Sequence, residues 1–172
     1  MKDWTGDSKS PHMIIDASNY AKENRQEVDY YATDPHTLHI FLEKLKVDKI
    51  ELPPKICEPA CGAGYLSEEL KRHGFEVILY DLYDHGYGIV GQDFLKSEIK
   101  AECFLTNPPY RFGVEFVEHA VENVISNGYV IMLLKIQFLE GKKRNKFLKK
   151  YPPKYVYVNS RGQHCTKNGD FS

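Results

Sequence analysis

Asn107, Pro108, Pro109 and Tyr110 stand together after the apolar run Cys103-Phe104-Leu105 and before a long amphipathic segment that begins near Phe112. An asparagine side chain offers one acceptor and two donors, two prolines remove backbone donors and fix the turn, and a tyrosine adds a flat ring. This set suits a planar amine. The carbonyl oxygens of Asn107 and Pro108 can accept from an NH2 group while the Tyr110 ring stacks on its heterocycle. The plain alternative is a proline-rich turn between strand and helix with an incidental aromatic.

A second candidate precedes it. Lys55-Ile56-Cys57-Glu58-Pro59 reads as a short strand, and Ala60-Cys61-Gly62-Ala63-Gly64 leads directly into the helical pattern Tyr65-Leu66-Ser67-Glu68-Glu69-Leu70. Glycine at such a junction allows tight turning and close approach of a ligand to bare backbone. The loop could be a loose dinucleotide fingerprint with its last glycine replaced, but it lacks the Gly-Lys-Ser/Thr ending of a phosphate-binding P-loop. Glu58, at the strand tip, would repel a pyrophosphate and attract an ammonium or sulfonium cation. That charge favours an amino-acid-bearing cofactor.

Two more acids continue the series. Glu76-Val77-Ile78-Leu79-Tyr80 reads as a strand ending at Asp81, whose carboxylate could accept from both ribose hydroxyls of an adenosine; Asp84 competes for that role. Asp93, beside Phe94, could accept from an adenine amino group while the ring packs on the purine. Taken singly, each acid also reads as a solvated loop residue or helix cap.

In this order the Glu58-Pro59-Ala60-Cys61-Gly62-Ala63-Gly64 loop, Asp81, Asp93-Phe94 and Asn107-Pro108-Pro109-Tyr110 resemble the S-adenosylmethionine-dependent amino methyltransferases. The likeness is to the adenine-N6 DNA methyltransferases of phage and restriction-modification type in particular. Asp29-Tyr30-Tyr31-Ala32-Thr33-Asp34-Pro35 is similar to the Tyr-x-Thr-Pro segment that such enzymes place before the glycine loop, except that Asp34 separates Thr33 from Pro35. The resemblance runs from about Tyr30 to about Phe138. It implies a cofactor site of Tyr31, Thr33, Glu58, Pro59, Ala60, Cys61, Gly62, Gly64, Asp81, Leu82, Asp93, Phe94 and Asn107. Within it Glu58, Gly62 and Gly64 would hold the methionine part, Asp81 the ribose, and Asp93 and Phe94 the adenine. Asn107, Pro108, Pro109 and Tyr110 would form the catalytic amine site.

Methyl transfer from a sulfonium is an in-line displacement, so the protein must mainly align the reacting atoms and exclude water. An exocyclic aromatic amine is a poor nucleophile. Acceptors at Asn107 and Pro108 would favour the positive charge it acquires in the transition state.

These residues need a scaffold that brings strand ends together. Hydrophobic patterning predicts strands near 56–59, 77–80, 103–106, 129–134 and 155–159, and helices near 36–45, 65–73, 112–126 and 141–150. A short strand near 88–90 is also consistent with the pattern, and the pairs Pro53-Pro54 and Pro152-Pro153 lead into strands. Such alternation implies an α/β fold, a mostly parallel sheet with helices on both faces. The resemblance makes this a Rossmann-like class I methyltransferase fold. The expected organisation is an N-terminal arm over 1–28 and one methyltransferase domain over 29–172. After the strand expected at 155–159 the chain offers no convincing apolar strand, so the last strand of the family's sheet is expected to be missing, with the C-terminal end shortened or disordered. There is no room for a large target-recognition domain. Sequence specificity would then come from short loops, the arm or a partner protein.

The 172 residues can bury roughly 70% of their extended surface, enough for a core without disulfides. Four cysteines, and neither a long apolar span nor a signal-like start, predict a reduced, cytoplasmic location and no membrane partner. Cys57 and Cys61 are spaced loosely like metal ligands but lack a second pair, so no metal is expected, and Cys61 is not expected to act as a nucleophile.

The net charge of −1 hides an asymmetry: residues 135–172 carry ten Lys+Arg against Glu140 and Asp170. Lys142, Lys143, Arg144 and Lys146 open a basic run that could track DNA phosphates, with Tyr151, Tyr155 and Tyr157 nearby. A solvated helix face explains the same run equally well. DNA is the expected partner. RNA bases and a protein glutamine amide present the same planar NH2 group. Outside that class stand a nicotinamide-dependent oxidoreductase, which would leave Asn107 to Tyr110 without a role, and a cofactor-binding protein without catalysis.

Overall fold

The structure, a computed structural model, describes residues 32–159. The expected arm, Tyr31 and the C-terminal tail lie outside the described residues. In chain order come α1 (Pro35–Val47), β1 (Lys55–Glu58), α2 (Tyr65–Arg72), β2 (Glu76–Asp81), β3 (Ile89–Val90), β4 (Ala101–Thr106), α3 (Gly113–Asn123), β5 (Val124–Met132) and α4 (Lys142–Lys150). Short 3-10 turns occupy Phe94–Lys96, Tyr110–Phe112 and Ile136–Leu139.

The strands form one sheet in the order β3-β2-β1-β4-β5, and every described pairing is parallel. Alternation along β1 and β4 divides the core in two, because successive side chains point to opposite faces. Ile56, Cys103 and Leu105 meet Leu38, Leu42 and Leu45 of α1 and Leu66 and Leu70 of α2. Cys57 and Phe104 meet Phe94 and α3's Phe116 and Ala120 on the other side. The result is an α/β fold with helices on both faces of a parallel sheet, compatible with a Rossmann-like architecture. Phe104 and Leu70 are fully buried, and truncating such side chains to alanine costs about 2–5 kcal/mol.

Two elements differ from the patterning. The helix expected over 112–126 stops at Asn123, because β-branched Val124 and Ile125 extend β5 and pair Val124 with Ala101 through an irregular register. Gly128 permits that pairing, since a Cβ there would collide with the carbonyl oxygen of Glu102. The strand expected over 155–159 does not form. Tyr155, Val156 and Val158 are exposed, whereas Tyr157 turns inward, edge-on to Phe41 at 5.3 Å between centroids, and its hydroxyl donates to Asp48 Oδ2 at 2.8 Å. That alternation resembles a strand in the sequence, but it serves one contact with α1 rather than a ladder.

Candidate active site

From β1 the chain builds outward through β2 and β3, then crosses back to place β4 on the opposite flank of β1. A crevice opens at the carboxyl ends of the strands where such a reversal occurs. A cleft of about 230 Å³ lies there. It is bordered by Glu58 to Cys61 after β1, Asp81 and Leu82 after β2, Asp93 and Phe94, and Asn107 to Pro109 after β4.

Glu58 is 1% exposed, and Ser67 Oγ, on the first turn of α2, donates to its Oε2. Burial pushes its carboxyl up to about 8, opposed by the Ser67 hydrogen bond and reinforced by the nearby Asp81 charge. A buried acid with that proton affinity fits a cationic partner, which would favour the ionised form.

The glycine loop is fastened to β2. Cys61 N–H donates to the Tyr80 carbonyl at 3.0 Å, and Gly62 N–H donates to Asp81 Oδ2 at 2.8 Å. Gly64 adopts φ +85° at the start of α2, where a Cβ would collide with the Tyr87 ring. Tyr87 in turn bonds to Glu68, and Lys71 Nζ donates to its hydroxyl at 2.7 Å. The bare face of Gly64 is thus covered by an aromatic ring, and neither Gly62 nor Gly64 borders the cleft. Burial pushes the Cys57 and Cys61 thiols up to about 12, which favours their neutral form at neutral pH.

Asp81 is buried and also accepts from Tyr83 N–H at 2.9 Å. Each of its oxygens takes one backbone donor and keeps lone pairs for a ligand. Asp84 is exposed, caps a local turn by accepting from Gly86 N–H at 2.8 Å, and does not border the cleft. Geometry therefore separates two acids that spacing could not. Asp93 accepts from Leu95 N–H at 3.1 Å and pairs with Lys96 at 2.9 Å, while Phe94 is 3% exposed and packs on Phe104, Phe116 and His119. Phe94 is as much a core residue as a cleft residue.

Across the cleft, Asn107 Nδ2 donates to Thr33 Oγ1 at 2.7 Å. The start of α1 places Thr33 there. Asp34 caps α1 by accepting from His36 N–H at 2.9 Å, with Pro35 in the first turn, and Thr33 is left just before the cap, 4% exposed. Such a cap is worth about 1 kcal/mol and fixes the start of α1 directly after Thr33. Tyr110 begins the following 3-10 turn and does not border the cleft; Lys135 Nζ lies 4.5 Å from its ring centroid.

Sequence reasoning did not single out Lys135, which follows β5, as a neighbour of Tyr110. Arg111, which lines the cleft and stacks 4.7 Å from the Phe112 ring, was missed as well. The expected basic run forms α4. Its Phe147 packs edge-on to Phe138, and Phe138 approaches Gly113 at the start of α3, so α4 is anchored near the chain that leaves Tyr110. Lys142 and Lys146 are exposed, while Arg144 Nε donates to the Glu140 carbonyl at 2.7 Å.

No protein-family model matches the chain, and a search of curated proteins finds no match to it either. Among the described residues no helix is long and apolar enough to cross a membrane.

Proposed function

We propose that the chain transfers a methyl group from S-adenosylmethionine to the N6 amino group of adenine in DNA. One observation carries this reading: buried Glu58 and the Asn107-Pro108-Pro109 turn border a single cleft at the sheet's reversal, so one ligand pair could meet both an acid and a set of amine acceptors. The strand order β3-β2-β1-β4-β5 supports a Rossmann-like class I methyltransferase fold, since doubly wound nucleotide-binding sheets begin in that order.

Glu58 would take the ammonium of the methionine part, Asp81 the ribose hydroxyls and Asp93 the adenine amine. Thr33 fits the methionine end through its position beside Asn107. With Nδ2 directed to Thr33, the Asn107 amide presents Oδ1 as its acceptor, and together with the Pro108 carbonyl it would draw the target NH2 toward a pyramidal geometry. Bound in the cleft, the cofactor would supply a sulfonium methyl group: the amine lone pair would form the N–C bond as the S–C bond broke, leaving that electron pair on sulfur, and the surplus amine proton would pass to water. No side chain forms a covalent intermediate. A duplex adenine must leave the stack to reach this turn. α4 would grip the flanking phosphates.

A nicotinamide dinucleotide is the weaker fit. The Gly62 N–H is engaged by Asp81 and Tyr87 covers Gly64, so neither is open to a pyrophosphate.

The test is incubation with methyl-labelled S-adenosylmethionine and unmethylated DNA, RNA or protein. Label in DNA as N6-methyladenine is expected, and Asn107→Ala should cut transfer at least about a hundredfold with cofactor affinity nearly intact. Label in protein or RNA alone would reassign the substrate. Tight NAD binding with no response to S-adenosylmethionine would overturn the reading.

A further inference from the structure

On the α1–α2 side of the sheet, two histidines and two glutamates converge. His39 and Glu43 are four residues apart on α1, and Glu69 of α2 is four residues before His73, the C-cap of that helix, so each pair points to one side. The two helices pack on each other and bring the pairs together. His39 Nδ1 lies 3.1 Å from His73 Nε2 and 3.7 Å from Glu69 Oε1, and His73 Nε2 lies 3.2 Å from that same oxygen. His39, Glu43 and His73 each bring a ligand atom within 4.8 Å of the others.

We propose that His39, His73 and Glu69 form a zinc-class metal site that clamps α1 to α2, with Glu43 supplying the fourth ligand. A tetrahedral zinc site with bonds of about 2.0–2.1 Å has ligand atoms about 3.3 Å apart. The three observed separations bracket that edge. Two hydrogen bonds that share His73 Nε2 join the same three atoms in the metal-free chain, and an ion at their centre would replace those bonds.

The surroundings agree with a metal face. Arg72 Nη1 donates to Glu69 Oε2 at 2.9 Å, which turns the other oxygen, Oε1, toward both imidazoles, as an outer partner does for a ligating carboxylate. Glu69 is buried and His73 half-buried, whereas His39 and Glu43 are exposed, so an ion has a route in from solvent. Imidazole with carboxylate selects a transition ion over calcium or magnesium, which prefer all-oxygen shells. Lys46 Nζ bonds Glu43 Oε1 at 2.7 Å and competes with the ion for that carboxylate.

The proposal does not depend on the catalytic reading. Its test uses the full chain after chelator treatment, titrated with Co2+ and then Zn2+. One equivalent of Co2+ with the intense visible bands of four-coordinate cobalt, displaced by Zn2+, is expected. His39→Ala and His73→Ala should each weaken Zn2+ binding at least about a hundredfold, more than loss of a supporting residue would. His36→Ala, whose ring stacks 6.2 Å from His39 outside the ligand set, should leave it unchanged. Lys46→Ala should tighten it. His39→Gln, on an exposed helix face, guards against misfolding: circular dichroism should match the parent while the cobalt bands are lost. No bands, or bands that persist in both histidine variants, would overturn the site.

Discussion

The Asn107 amide donates to the Thr33 hydroxyl across 2.7 Å, joining positions 74 residues apart and tying the start of α1 to the end of β4. A side-chain amide is effective as an acceptor only when its orientation is held, and the bond to Thr33 helps to hold this one. Thr33→Val keeps the shape and removes the partner. Single-turnover methyl transfer should fall roughly tenfold, the worth of about one hydrogen bond, and the same change in an Asn107→Ala background should add nothing further.

Glu58 gives the fold a distinctive pH dependence. Its carboxyl titrates near 8 in the folded chain against 4.5 as its ordinary value, so between these limits the folded state holds the proton that the unfolded state has released. Its contribution to stability is therefore full below about pH 4.5 and is lost as pH rises through about 8. Urea unfolding across this window should show the decline, and Glu58→Gln should flatten it. A cationic ligand favours the ionised carboxylate, so its binding at pH 7 should release a proton, seen by calorimetry in buffers of different ionisation enthalpy.

Asp81 and Asp84 separate cleanly. Asp81→Ala removes the acceptor for Gly62 and Tyr83 N–H as well as the proposed ribose contact, and should weaken cofactor binding by about 1–3 kcal/mol. Asp84→Ala loses only a local turn bond and should stay within about 0.5 kcal/mol of the parent. Isothermal titration of both variants decides the assignment.

Replacing Lys142, Lys143, Arg144 and Lys146 with alanine should weaken DNA binding and flatten its salt dependence. Every phosphate that the variant no longer neutralises should reduce the slope of log affinity against log salt by about 0.9. Cofactor affinity should not change. Fluorescence anisotropy across a salt series measures the DNA affinity and its slope together.

Much of the framework was legible because period and punctuation agree in it. Ile56 and Cys57, or Phe104 and Leu105, are apolar on both faces, as strands covered on both sides require, and Gly64 marks the start of α2. The segment over 155–159 misled because alternation records which residues turn inward, not whether a neighbouring strand is present. Of the expected site, the strand-end acids and Asn107 do border one cleft. Gly62, Gly64 and Tyr110 do not, because their surroundings, Asp81, Tyr87 and Lys135, come from chain far away. The His39 and Glu69 pairs were legible only as separate helix faces, and their meeting is a fact of packing between α1 and α2.

The sheet's reversal also sets the order of events in folding. Pairing β1 with β4 joins Cys57 to Phe104 across the intervening β2 and β3, and the Asn107–Thr33 bond on the cleft spans 74 residues of chain. Long-range parallel pairing must overcome loop-closure entropy before its contacts repay it, so it forms late. A refolding chain should recover helical circular dichroism before it recovers ligand binding, and the lag between the two signals is the time the chain spends with its helices formed and its cleft still open.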